Sequence, residues 1–151
     1  MKKISILLVV LCALLVGCSN KKGLDGSLSE IMKEVYAGIP SDDLPGLENN
    51  KVTSENFSYY LGDVTFKYKE ALASEPKMSS IAHSVVLVRL EDAKDADKAM
   101  KEIKEKVNPR KWVCVEVAEE NVLVVNRGDI VMLVMDDELA QTIKDNFLNL
   151  E

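Results

Sequence analysis

The stretch NVLVVNRGDIVMLVM, residues 121–135, decides the fold. Two short apolar runs, 121–125 and 129–135, flank the polar triple Asn126-Arg127-Gly128. Asn and Gly tolerate positive φ, so the triple predicts a tight reversal between two antiparallel strands. In both runs each of the two alternating residue sets is apolar: Leu123 and Val125 against Val122 and Val124, then Ile130, Met132 and Val134 against Val131, Leu133 and Met135. A strand apolar on both sides needs cover on both faces, so this hairpin is expected at the centre of a sheet.

Working outward, Trp112 to Ala118 reads as a third strand joined to 121–125 by Glu119-Glu120, with Trp112 its first inward residue. Asp136 is placed to cap a closing helix carrying Leu139, Ile143, Phe147 and Leu150 at helical spacing. Upstream, Ala96, Met100, Ile103 and Val107 make a narrow apolar stripe within 93–107, the pattern of a surface helix lying across a sheet, and Asn108-Pro109 ends it. Residues 64–73 and 81–90 are two more strand-like runs, separated by the breaker Ser74-Glu75-Pro76-Lys77.

Nearer the N-terminus, Ser27-Leu28-Ser29-Glu30 reads as a capping box opening a helix over 28–38, which Gly38 and Pro40 stop. PSDDLPGLENNK, residues 40–51, reads as a loop. A short helix over 55–61 follows, capped by Thr53 or Ser54 and ended by Gly62. The expected order is α-α-β-β-α-β-β-β-α, an α+β fold with a five-stranded, largely antiparallel sheet and helices packed on it.

The first residues carry a different message. Lys2 and Lys3 precede the apolar run Ile4 to Val16, interrupted only by Ser5, and the run closes on Leu15-Val16-Gly17-Cys18. A positive start, a short apolar stretch and a small-residue cleavage site form an export signal. LVGC resembles the lipobox of bacterial lipoproteins. That resemblance implies diacylglyceryl transfer to the Cys18 thiol and cleavage after Gly17. The apolar run is well short of the roughly 20 residues a spanning helix needs. The expected organisation is a signal peptide over 1–17, a lipidated tether over 18–26 and one α+β domain over 27–151. The expected location is the extracytoplasmic face of the cell membrane.

Removing residues 1–17 from the 151 leaves 134, enough for one compact domain without disulfide or metal. It also takes Lys+Arg from 19 to 17 against 25 Asp+Glu, a net charge of −8. Such a surface argues against nucleic acid as a partner and against an electrostatic grip on anionic lipid. Cys12 leaves with the signal and Cys18 is acylated. The remaining cysteine, Cys114, is expected as a small buried hydrophobe in its strand.

Chemistry-bearing groups are sparse. One histidine, His83, excludes a His/Cys metal site of ordinary spacing, and no cofactor fingerprint occurs. His83 is expected half buried at the start of a strand. Ser80 or Ser84 with Glu70 or Glu75 could complete a Ser-His-acid set, although no Gly-x-Ser-x-Gly turn is present. SEPKMSSIAHS is the least generic stretch, so Glu70, Glu75 and His83 mark the first pocket to inspect. Arg127-Gly128-Asp129 is explained by turn chemistry, and the acidic 42–50 loop lacks the ligand spacing of a calcium loop.

ENFSYYLG, YKEALASEPKMSSIAHSVVLVRL, IKEKVNPRKWVCV and VNRGDIVMLVMDDELA resemble, in order, a family of small uncharacterised lipoproteins of clostridial-type Gram-positive bacteria. The resemblance runs from about Ser27 to the C-terminus. It implies an envelope location but no catalytic or ligand-binding residues. The functional expectation is a non-enzymatic, membrane-anchored binding or accessory module meeting an envelope protein, with small-ligand binding for uptake or sensing as the alternative.

Overall fold

The computed structural model describes residues 23–151, so the expected signal 1–17 and the lipidation site Cys18 lie outside the described residues. The described chain is α+β. Its helices are α1 (Leu28–Val35), α2 (Phe57–Leu61), α3 (Ala96–Lys106) and α4 (Ala140–Asn149). Its strands are β1 (Leu47–Lys51), β2 (Tyr68–Pro76), β3 (Ser84–Leu90), β4 (Val122–Arg127) and β5 (Ile130–Met135). The strands form one antiparallel sheet in the order β1-β2-β3-β5-β4.

Side-chain alternation divides the core in two. Ala71, Ala73, Val86, Val88, Val131 and Leu133 face α2 and α3 on one side. Val85, Leu87, Ile130, Met132 and Val134 face α1 and α4 on the other. β3 lies in the middle of the sheet, with every residue buried except Arg89. β5 is inside the sheet as expected, whereas β4 is an edge strand rather than a central one. Its two apolar residue sets are explained by α3 packing on one face and α4 on the other.

Two segments exchange roles relative to the sequence reading. Residues 112–118 do not form a strand: Cys114 takes a left-handed φ of 62°, which no ladder accepts. The segment is a loop closed by the Val117 N–H on the Pro109 carbonyl and the Ala118 N–H on the Asp137 carboxylate. Cys114 is consequently exposed rather than buried. The fifth strand instead comes from Leu47–Lys51, within the expected loop. β2 runs on through Pro76 and offers a free edge there, which backbone bonding satisfies despite the poor strand propensity of Glu-Asn-Asn.

The Ser27 capping box forms as read: the Glu30 N–H donates to Ser27 Oγ at 3.2 Å, and the Ser27 N–H donates to Glu30 at 2.9 Å. α2 lacks the expected Thr53 or Ser54 cap; the Thr53 N–H instead donates to the Asn56 side chain at 2.7 Å. Leu24, read as tether, is 5% exposed in the α1/α4 core, and Arg89 holds the Leu24 and Gly26 carbonyls. The chain therefore enters the domain beside the β4–β5 turn, where Gly23 lies against Gly128 and Asp129.

Candidate functional site

Of the three residues marked in the sequence, the structure brings two to one end of the sheet and leaves the third at the other. Glu70 pairs across the ladder with Arg89, Nε to Oε1 at 2.9 Å, near the end where the chain enters. Its side chain is 48% exposed, so it is a surface ion pair. Glu75 and His83 lie at the opposite, distal end. They occupy opposite faces: the Ser84 side chain bonds to Glu75 just past the Ser74–Val85 pair, and His83 is the neighbour of Ser84 and points to the other side.

On the α3 face, Glu75, Ser84 and Lys111 form a buried triangle. Ser84 Oγ donates to Glu75 Oε1 at 2.6 Å, and Lys111 Nζ donates to Ser84 Oγ at 3.1 Å and to Glu75. The side chains of Lys111 and Glu75 are 2% and 9% exposed. Three rings enclose the ammonium: Tyr59, Tyr60 and Trp112 have centroids 4.8, 5.1 and 5.2 Å from Nζ. Burial lowers the Lys111 pKa from its usual value, and the Glu75 carboxylate works against that shift. The ring faces supplement the carboxylate in holding the cation.

On the α1/α4 face, His83 is fully buried, not half buried as expected. It bridges Tyr36 Oη, 2.9 Å from Nε2, and Asp136 Oδ2, 2.7 Å from Nδ1. Asp136 also accepts the Glu138 and Leu139 N–H groups of the turn that leads into α4. The N-cap position itself is Leu139, without a side-chain cap, rather than the expected Asp136. Burial works to raise the Asp136 pKa, but the bonds from His83 and the two backbone donors outweigh it and hold the carboxyl below its ordinary value. Burial pushes the Tyr36 phenol well above its usual pKa.

A hydroxyl, an amine, a carboxylate and an imidazole are thus assembled within one end of the domain, but each reactive atom already has a partner inside the protein. The imagined Ser-His-acid set does not form: Ser84 bonds to Glu75, and His83 points to the other face. Tyr36, Lys111 and Asp136 complete the two clusters. Lys111 carries no sequence signal of burial, since it stands in the charged run Arg110-Lys111. Tyr36 read only as one more apolar position of α1.

Outside these clusters, a concavity of about 370 Å³ lies beside Asp136 and is lined by Asp42, Asp43, Ile81, Ala82 and Asp137 among others. Among the described residues no group of three or more His, Cys, Asp or Glu is placed to hold a metal ion. The exposed large hydrophobics among the described residues are Tyr59, Met78 and Val113, at 48%, 61% and 59%. They gather at the distal end. Tyr59 covers Lys111, and the Val113 N–H donates to the carbonyl of Ser79, next to Met78. No family model, curated protein or solved structure matches the chain.

Proposed function

We propose that the chain is an exported, lipid-anchored and non-enzymatic module that presents the distal end of its domain to a protein of the cell envelope. The observation that carries this reading is the position of the exposed apolar side chains. Scattered singly, such residues need no explanation. Here Tyr59, Met78 and Val113 converge at the end of the sheet opposite Leu24. A clustered apolar end is a docking feature, and it is the end that an anchor at Cys18 would turn away from the bilayer.

The buried seat of Leu24 supports the same arrangement. Four residues separate Cys18 from Gly23, five Cα-to-Cα steps with a reach of about 17 Å when extended. A leash of that length keeps the entry end near the lipid. By this reading attachment rests on the acyl chains; among the described residues no helix is long and apolar enough to cross a membrane.

Two measurements test the reading separately. Cys18→Ala should release the protein from the membrane fraction, and unchanged retention would remove the anchor from the proposal. A photo-crosslinker at Val113 should give a discrete adduct in intact envelope, while one at Lys94, exposed near the entry end, should not. Equal labelling from both positions, or none from Val113, would overturn the docking role.

A further inference from the structure

The two edges of the sheet are built differently. β1 presents Glu48, Asn49, Asn50 and Lys51, the charged and amide-rich composition that discourages further pairing. β4 presents Val-Leu-Val-Val-Asn-Arg, without proline or bulge. Among the described residues its partner is β5 alone.

The turn fixes which backbone groups of β4 point outward. Gly128, at φ 57°, and Asp129 make a two-residue turn closed by the Arg127–Ile130 pair. In such a hairpin the flanking pair exchanges hydrogen bonds, and every second residue does the same. Arg127, Val125 and Leu123 therefore bond to β5, while Asn126, Val124 and Val122 turn their N–H and C=O groups outward. Val122 is already occupied: its N–H donates to the Glu119 carbonyl, and its C=O accepts from Lys104 Nζ. Val124 and Asn126 are left presenting two donors and two acceptors along an edge whose side chains are half buried between α3 and α4.

At the Val122 end of this edge, on the α3 face, lies a concavity of about 190 Å³. Val107, Pro109 and Val122 contribute its apolar lining, and Lys104, Glu105 and Glu119 complete it. Cross-strand partners share a face, so a residue opposite Val122 on an added strand would point at this pocket. Strand addition takes affinity from main-chain bonds and specificity from such side-chain pockets.

We propose that the outer edge of β4 is a strand-docking site for an extended segment of a partner protein, paired antiparallel, with an apolar side chain opposite Val122. A second copy of this chain fits less well. The register that uses the open groups of both copies pairs Val124 with Asn126, and the second copy's Gly128 turn then falls opposite Val122. The pocket receives no side chain in that arrangement. This surface runs along the side of the sheet, and its open backbone groups do not depend on acylation of Cys18.

Amide hydrogen exchange on the full chain in detergent tests it. In the free protein the Val124 and Asn126 amides should exchange at least about 100-fold faster than those of Leu123, Val125 and Arg127. The probe is the peptide KTVTLTVK, with a twin N-methylated along its bonding edge. The unmethylated peptide should slow Val124 and Asn126 at least tenfold, and the twin should not. Val124→Pro should abolish the protection. Glu119→Trp, which fills the pocket from its exposed rim, should weaken binding about tenfold while leaving both amides open, and it serves if the proline variant does not fold. Equal protection of all five amides in the free protein, protection that grows with protein concentration alone, or no response to the peptide would each overturn the proposal.

Discussion

Replacing Lys111 by methionine would leave the Glu75 carboxylate inside the protein without its cation. Both side chains are almost fully enclosed, at 2% and 9% exposure, so solvent cannot take over the lost contact. Removing one partner of a buried pair costs about 3–5 kcal/mol, because the other charge is left uncompensated. Domains of this size hold roughly 5–15 kcal/mol in total, so Lys111→Met should consume a third or more of the stability. The double variant Glu75→Met/Lys111→Met removes both charges. It leaves only the Ser84 hydroxyl without its partners, at about 1–3 kcal/mol. The double variant should therefore be no less stable than Lys111→Met, with a coupling energy of about 2 kcal/mol or more. Urea unfolding followed by far-UV circular dichroism reads these values, with an unchanged m as the check on two-state behaviour. If Lys111→Met lies within about 0.5 kcal/mol of the parent, or the two single effects simply add, the sealed-pair account of this cluster is wrong.

Gly62→Ala should be strongly destabilising, by about 2–4 kcal/mol: φ is 80°, and a Cβ would lie 2.3 Å from the Lys106 carbonyl oxygen. A thermal melt no lower than the parent's would contradict the close approach of α2 to the end of α3. At Cys114, valine should cost about 1–2 kcal/mol and glycine should be close to neutral, because the position needs φ 62°. A strand position would rank the two the other way. On raising the pH, the Tyr36 phenol contributes a loss of stability. Its pKa is raised on folding, so between the ordinary value near 10 and the folded value the native state holds a proton that the unfolded chain has released. Tyr36→Phe should flatten the alkaline limb by up to about 1.4 kcal/mol per pH unit, and an unaltered slope would show the phenol to be accessible to base.

What the sequence disclosed follows from how each element is stabilised. α1, α3 and β5 are set by apolar periodicity and caps, signals carried by their own residues, and each formed within a few residues of the expected place. β1 is stabilised by the backbone of β2, so nothing in Leu-Glu-Asn-Asn-Lys announces a strand. Trp-Val-Cys-Val failed in the opposite sense. Trp112 and Val117 are buried among the residues facing α3, yet Cys114 between them turns left-handed and breaks the alternation. β4 is an edge strand with the composition of an inner one, because helices cover both of its faces. The clusters follow the same logic. Glu75 and His83 stood out as polar residues beside apolar runs, but their partners come from Tyr36, Lys111 and Asp136, at separations up to 53 residues, which no local pattern encodes.

The clamp of Arg89 on Leu24 and Gly26 has a mechanical consequence. A pull between the entry end and a partner held at Val113 would run roughly along the strands and load the β-ladders in shear. Many hydrogen bonds then bear the load together, whereas peeling an edge would break them one at a time. The first element to yield should be the Gly23–Gly26 segment, whose grip on Arg89 lies in series with the sheet. Releasing it would free a few more residues while the domain stayed folded; if Cys18 is anchored as proposed, the clamp would then be a stop that sets how far the domain stands from the lipid.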